Sequence, residues 1–151
     1  MALVKKRGKT KFMYWPLQAS SGVYALAGTL MAMSSGYLII ATSTSNGYDM
    51  VGVLRHTIAT TDDDYAKARM IEIETPVELA VEWEADISGT LVLADVGLYC
   101  DITTANGTTT TTAVNRDAST YDIAQISGFI SASKARVILN IGTLARLKAN
   151  S

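Results

Sequence analysis

The chain predicts an all-β fold: a small β-barrel or sandwich with an extended N-terminal arm and at most one short helix. Three observations carry that expectation. Between Met70 and Asp86, apolar and acidic residues alternate with a period of two, the pattern of a strand that buries one face. Eighteen threonines and twelve serines against two prolines lean towards strands and turns. Several short apolar runs are separated by Gly, Asn-Gly and Thr-rich stretches, the punctuation of a barrel or sandwich. At 151 residues, 48% hydrophobic and 18% charged, the chain suits one domain and is too apolar for disorder. The division expected is a basic-aromatic arm over residues 1–16 and a single β-rich domain over 17–151.

Residues 1–11, M-A-L-V-K-K-R-G-K-T-K, hold Lys5, Lys6, Arg7, Lys9 and Lys11 and no acid. Phe12, Met13, Tyr14 and Trp15 follow, and Pro16 closes the segment. Two readings stand. The aromatics begin the chain's own first strand, as their burial preference favours. Alternatively the segment reaches a neighbouring protein, with Phe12, Tyr14 and Trp15 as anchors. On the second reading, removing residues 2–15 leaves the fold intact. The basic start imitates a secretory signal, but Pro16, Ser20, Ser21 and Gly22 interrupt the place where an apolar run belongs. Residues 22–41 are likewise too broken by Gly and Ser for a membrane span, and a soluble protein is expected.

A spacing then recurs. Gly28-Thr29-Leu30 precedes Gly36 by eight residues, and Gly89-Thr90-Leu91 precedes Gly97 by eight. Each second glycine opens an apolar run, Tyr37–Ile40 or Leu98–Cys100, and each copy later reaches another, Val51–Leu54 or Ile126–Ile130. Two related strand-turn-strand units, with glycines where positive φ or close approach is needed, would explain this; chance similarity is the alternative. Thr60 to Arg69 offers a short helix start with Asp62, Asp63 and Asp64 at its positive end. Thr103 to Thr112, with seven threonines and an Asn-Gly, reads as a turn or surface loop. Strands are expected over residues 121–130 and 135–141, bringing the total to eight to ten.

The central stretch M-I-E-I-E-T-P-V-E-L-A-V-E-W-E-A-D places Ile71, Ile73, Val77, Leu79, Val81 and Trp83 apart from its glutamates. Pro76 cannot donate to a ladder, so it marks a bulge, an edge or a break between two strands. Charge is unevenly spread. Residues 1–48 carry +5, residues 62–101 carry −9, and residues from Lys134 onward carry +4. Basic ends flank an acidic middle.

Catalytic signals are weak. The three aspartates lack the alternation, central glycine and distal Glu of a calcium loop. Asp86, Asp95 and Asp101 could supply a carboxylate pair, as any acidic strand protein could. His56 is the sole histidine and no G-x-S-x-G elbow accompanies it, so a surface or structural histidine is expected. Cys100 is the sole cysteine, which excludes an internal disulfide and reads as a buried, inert thiol. Neither a P-loop nor G-x-G-x-x-G is present. No enzyme activity, cofactor or metal is expected. Five cations beside Tyr14 and Trp15 could grip a nucleic acid, but the acidic body would repel it.

The runs G-Y-L-I-I-A (36–41) leading to V-G-V-L (51–54), and A-D-V-G-L-Y-C-D-I (94–102) leading to S-G-F-I-S-A (127–132), resemble those of a known family. Over about residues 22–141 the chain is similar to the small capsid decoration, or cement, proteins of tailed bacteriophages. The resemblance implies a β-rich, non-enzymatic protein, commonly trimeric, that clamps neighbouring capsomers on the outer shell. It implies the major capsid protein as partner, no membrane, and a place on the virion exterior after synthesis in the host cytoplasm. Lys5, Lys6, Arg7, Lys9, Lys11, Phe12, Tyr14 and Trp15 would then bind the capsid or a neighbouring subunit. Glu72, Glu74, Glu78, Glu82 and Glu84 would form an acidic partner face for basic arms, so that salt weakens assembly. Another head- or tail-associated virion module on a similar scaffold is the alternative.

Overall fold

The computed structural model describes residues 3–17, 25–59, 70–78, 81–106 and 109–141. Its strands form two curved sheets. The first orders β7 (Glu82–Ser88), β11 (Lys134–Leu139), β10 (Ala124–Ser131), β8 (Tyr99–Ile102) and β9 (Val114–Asn115). It closes into a five-stranded barrel because β9 returns to pair, parallel, with the end of β7 at Ile87 and Ser88. β1 (Val4–Arg7) adds antiparallel to the start of β7. The second sheet orders β2 (Thr10–Pro16), β6 (Met70–Pro76), β5 (Met50–Leu54), β3 (Leu30–Ser34) and β4 (Tyr37–Ile40). It rolls until Leu17, just past β2, bridges Leu38 of β4.

Alternation along the strands builds two cores. Trp83, Ala85 and Ile87 of β7 point into the barrel with Cys100, Ile126, Val137 and Leu139. Glu82, Glu84 and Asp86, alternating with them, are half-buried on the other face. The second sheet encloses Leu17, Met31, Leu38, Leu54, Ile71 and Ile73. β3 and β5 are buried on both faces: Met31 and Leu54 look into the rolled sheet, whereas Leu30, Ala32, Met50 and Val53 join the barrel's cluster. One apolar core therefore runs from barrel to sheet.

Two strand pairs cross side by side from one sheet to the other. β6 ends at Pro76 in the second sheet and β7 begins at Glu82 in the barrel. Antiparallel to them, β1 in the barrel passes through Gly8 into β2. Gly8 has φ +101°, and a Cβ there would lie 2.8 Å from the Val81 Cα. The crossing is fastened by Lys9 N–H donating to Glu78 Oε1 at 2.9 Å and Val77 N–H donating to the Lys9 carbonyl at 3.2 Å.

The all-β expectation holds: the described residues form eleven strands, against the eight to ten expected, and only short 3-10 turns at Gly47–Asp49 and Leu93–Asp95. Pro76 is a break between strands, and its two halves serve different sheets. Val77, expected on the apolar face, is exposed beyond that break. The N-terminal arm is corrected: residues 4–16 are β1 and β2, paired into both sheets. The physical reason is alternation: Leu3 enters the barrel core while Trp15 packs against the other core. Removing residues 2–15 would strip a strand from each sheet, so the fold would not survive intact. The helix expected over 60–69, the three aspartates and Leu79 lie outside the described residues. The recurring glycines Gly28, Gly36, Gly89 and Gly97 all take positive φ, between 85° and 99°. Between the first two glycines, however, lies strand β3, with Gly36 in the β3–β4 turn, and between the second two a 3-10 turn.

Candidate functional site

The basic segment and the acidic strands, expected to seek partners, meet each other. Arg7 Nη2 lies 2.6 Å from Glu82 Oε1, and Lys6 Nζ lies 3.4 Å from Glu84 Oε2, which Lys134 also approaches at 3.5 Å on its other oxygen. Lys5 reaches across to the second sheet, 3.7 Å from Glu74 Oε2. Glu74 is only 3% exposed and takes two further partners: Arg55 Nη1 at 3.2 Å and the Thr10 hydroxyl at 2.7 Å. Glu78 caps the Gly8 crossing. The expected acidic partner face is thus largely engaged within the chain. Exposed pairs of this kind contribute about 0–1 kcal/mol each, whereas buried Glu74 requires its partners.

The aromatic residues divide. Trp15 turns inward and Phe12 and Tyr14 turn outward, 50% and 57% exposed, beside Met70. Phe12 lies under Arg55, whose guanidinium carbon is 5.5 Å from the ring centroid. The Tyr14 hydroxyl donates to Glu72 Oε2 at 2.7 Å, and His56 Nε2 lies 3.5 Å from Glu72 Oε1. A histidine, an acid and a hydroxyl are therefore adjacent. Their order is wrong for nucleophilic catalysis: imidazole and phenol both bind the carboxylate, not each other. The hydrogen bond to Glu72, with its charge, raises the Tyr14 pKa, so the phenol is held protonated rather than activated. The His56 side chain is 81% exposed.

A second surface escaped the sequence reading. Residues 91–98 run beside β10, tied by Leu91 N–H to the Ala132 carbonyl at 2.9 Å and Gly97 N–H to the Ile126 carbonyl at 2.7 Å. Asp95 secures their turn. Its Oδ2 accepts from Val92 N–H at 2.9 Å, and its two oxygens take a bidentate fork from Arg116 at 3.0 and 3.1 Å. The Arg116 hydrogen bonds hold the Asp95 carboxyl below its ordinary range, and Asp95 in turn raises the Arg116 pKa. On this fixed turn Val92, Leu93, Val96 and Leu98 stand exposed, Leu93 at 71%. The side chains of Leu98, Tyr99, Arg116, Asp117 and Ser119 line an adjoining open cleft of about 290 Å3. Beneath it buried Asp101 accepts from the backbone N–H groups of Thr120, Tyr121 and Asp122 at 2.6–3.0 Å. The available signal was the spacing of Val92, Leu93, Val96 and Leu98, which has no strand or helix period that could bury all four.

No protein-family model matches the chain, and no curated protein matches it in sequence.

Proposed function

We propose that this protein is a structural, non-catalytic capsid decoration (cement) protein. It binds the outer surface of a phage head through the major capsid protein, acts as a homo-oligomer with a trimer favoured, and stabilises contacts between capsomers. It joins the virion exterior after synthesis in the host cytoplasm. One observation supports the reading most: a doubly fastened β body spends its charged strand residues internally and exposes large apolar side chains on fixed backbone. Such surfaces suit protein docking. Lys5, Lys6 and Arg7 serve the fold first, so shell contact falls to Phe12 and Tyr14 rather than to a free arm.

The test is copy number. Quantitative mass spectrometry of purified particles should find the chain at a stoichiometry near that of capsid subunits or capsomer junctions. A count of a few copies per particle would assign it instead to a head- or tail-associated module, and its absence from particles would overturn both readings.

A further inference from the structure

We infer that the cleft between Tyr99 and Arg116 is a carbohydrate site that takes one pyranose ring. Such a site goes beyond the capsid reading and does not depend on it. Its walls are fixed before any ligand arrives. Arg116 N–H donates to the Ser88 carbonyl at 3.0 Å, Asp101 N–H to the Ala118 carbonyl at 2.8 Å, and Asp117 N–H to Asn115 Oδ1 at 3.1 Å. Leu98 and Tyr99 follow the turn whose Gly97 N–H donates to the Ile126 carbonyl at 2.7 Å. Walls held in this way lose little order on binding.

The polar groups stand as donor beside acceptor. Arg116 commits three of its five N–H groups, two to Asp95 and one to Asp117 at 3.1 Å. One N–H on each terminal nitrogen remains, next to the Asp117 carboxylate, whose side chain is 64% exposed. The exposed Ser119 hydroxyl, donor and acceptor at once, also lines the cleft. Leu98 and Tyr99, each over a third exposed, supply its apolar part.

Charge decides the class of ligand. An anion entering the cleft meets Asp95 and Asp117, and a cation meets the Arg116 guanidinium that already bridges both carboxylates. A neutral ligand with adjacent hydroxyls meets neither conflict, since a vicinal diol can accept from the guanidinium and donate to Asp117 together. The C–H face of a sugar ring can then lie against Tyr99 and Leu98 while its hydroxyls stay paired. At about 290 Å3 and open to solvent, the cleft suits one ring rather than an enclosed ligand. An open site of this size implies weak binding, with a Kd of about 1 to 10 mM.

Amide chemical-shift mapping on the isotope-labelled full chain tests this. Methyl α-mannoside, methyl α-glucoside and methyl β-galactoside are each titrated to about 50 mM. At least one should bind in the millimolar range and move the amides of residues 98–99 and 116–119 before others. Asp117→Asn and Tyr99→Ser, checked for folding by circular dichroism melts, should each weaken that binding at least about tenfold. The near-isosteric Asp117→Asn decides the matter if Tyr99→Ser fails to fold. The matching trisaccharide separates two sources: tighter binding marks a ring within a longer glycan, and equal binding marks a free sugar. Absence of shifts in that cluster with all three glycosides overturns the inference. So does a response as strong to glycerol, which offers a diol without a ring face, or undiminished binding by a folded variant. Tighter binding of methylguanidinium than of any glycoside would make the cleft a cation site and overturn it as well.

Discussion

Cys100 shows how a residue's surroundings set its chemistry. Its thiol is fully buried in the barrel wall, and burial pushes its pKa up to about 11. Asp95 adds to the rise, Arg116 opposes it, and Asp101 and Asp122 contribute further. The thiol stays protonated and inert across the physiological range, as its strand position suggested. Linkage gives the sign: above pH 9 the unfolded chain loses this proton while the folded chain keeps it, so stability falls as pH rises towards 11. Two pKa units correspond to roughly 2 to 3 kcal/mol. Urea unfolding from pH 8 to 11 should show that decline in the natural chain and a flatter limb in Cys100→Ala, whatever the variant's absolute stability. Equal slopes in the two proteins would rule out Cys100 as the source. Glu74 teaches the complementary lesson. Its place in the alternation reads as surface, yet Arg55, Lys5 and Thr10 cover it, and partners from three distant segments cannot be read from local spacing.

At the scale of elements the double crossing governs the fold, and Gly8 is its tightest point. A side chain there meets two penalties, the positive φ and overlap with the Val81 backbone and its Cγ2 at 2.9 Å. Gly36 in the β3–β4 turn has a similar φ of +85° but open space around it. Gly36→Ala should therefore cost about 1 kcal/mol and Gly8→Ala at least about 2 kcal/mol more, measured by chemical denaturation. Equal losses would mean that the crossing has room to yield. Much of this level was legible beforehand. The alternation in β7, the interruption at Pro76 and the turn glycines all express local rules of period and φ. What local rules could not show is destination. Nothing in M-I-E-I-E-T-P-V-E-L-A-V-E-W-E announces that its halves serve different sheets. The cations of residues 5–7 looked free because their carboxylate partners lie some seventy residues away. The exposed turn at 92–98 drew no notice because its four apolar residues follow neither a strand nor a helix period.

At the scale of the molecule the question is whether barrel and rolled sheet are two units or one. Leu30, Ala32, Ala41, Met50 and Val53 of the second sheet and its loops share one buried cluster with Trp83, Val137 and Ile126 of the barrel. Further ties cross the boundary: Leu30 N–H donates to Thr112 Oγ1 at 2.8 Å, and Ser43 N–H donates to Thr104 Oγ1 at 2.8 Å. Opening either half would expose part of the other's core, so the two should melt together. The tryptophans report the halves separately, Trp83 from the barrel interior and Trp15 from the second core. Neither indole N–H has a partner in the structure, so replacement by Phe removes an unsatisfied donor along with some volume. In Trp15→Phe only the barrel is visible by fluorescence, and in Trp83→Phe only the rolled sheet. Within each variant the fluorescence transition in urea should coincide with that of far-ultraviolet circular dichroism, which follows both halves. If in either variant one signal moves before the other, the shared cluster does not couple the halves, and the chain would present its two exposed surfaces on independently folding units.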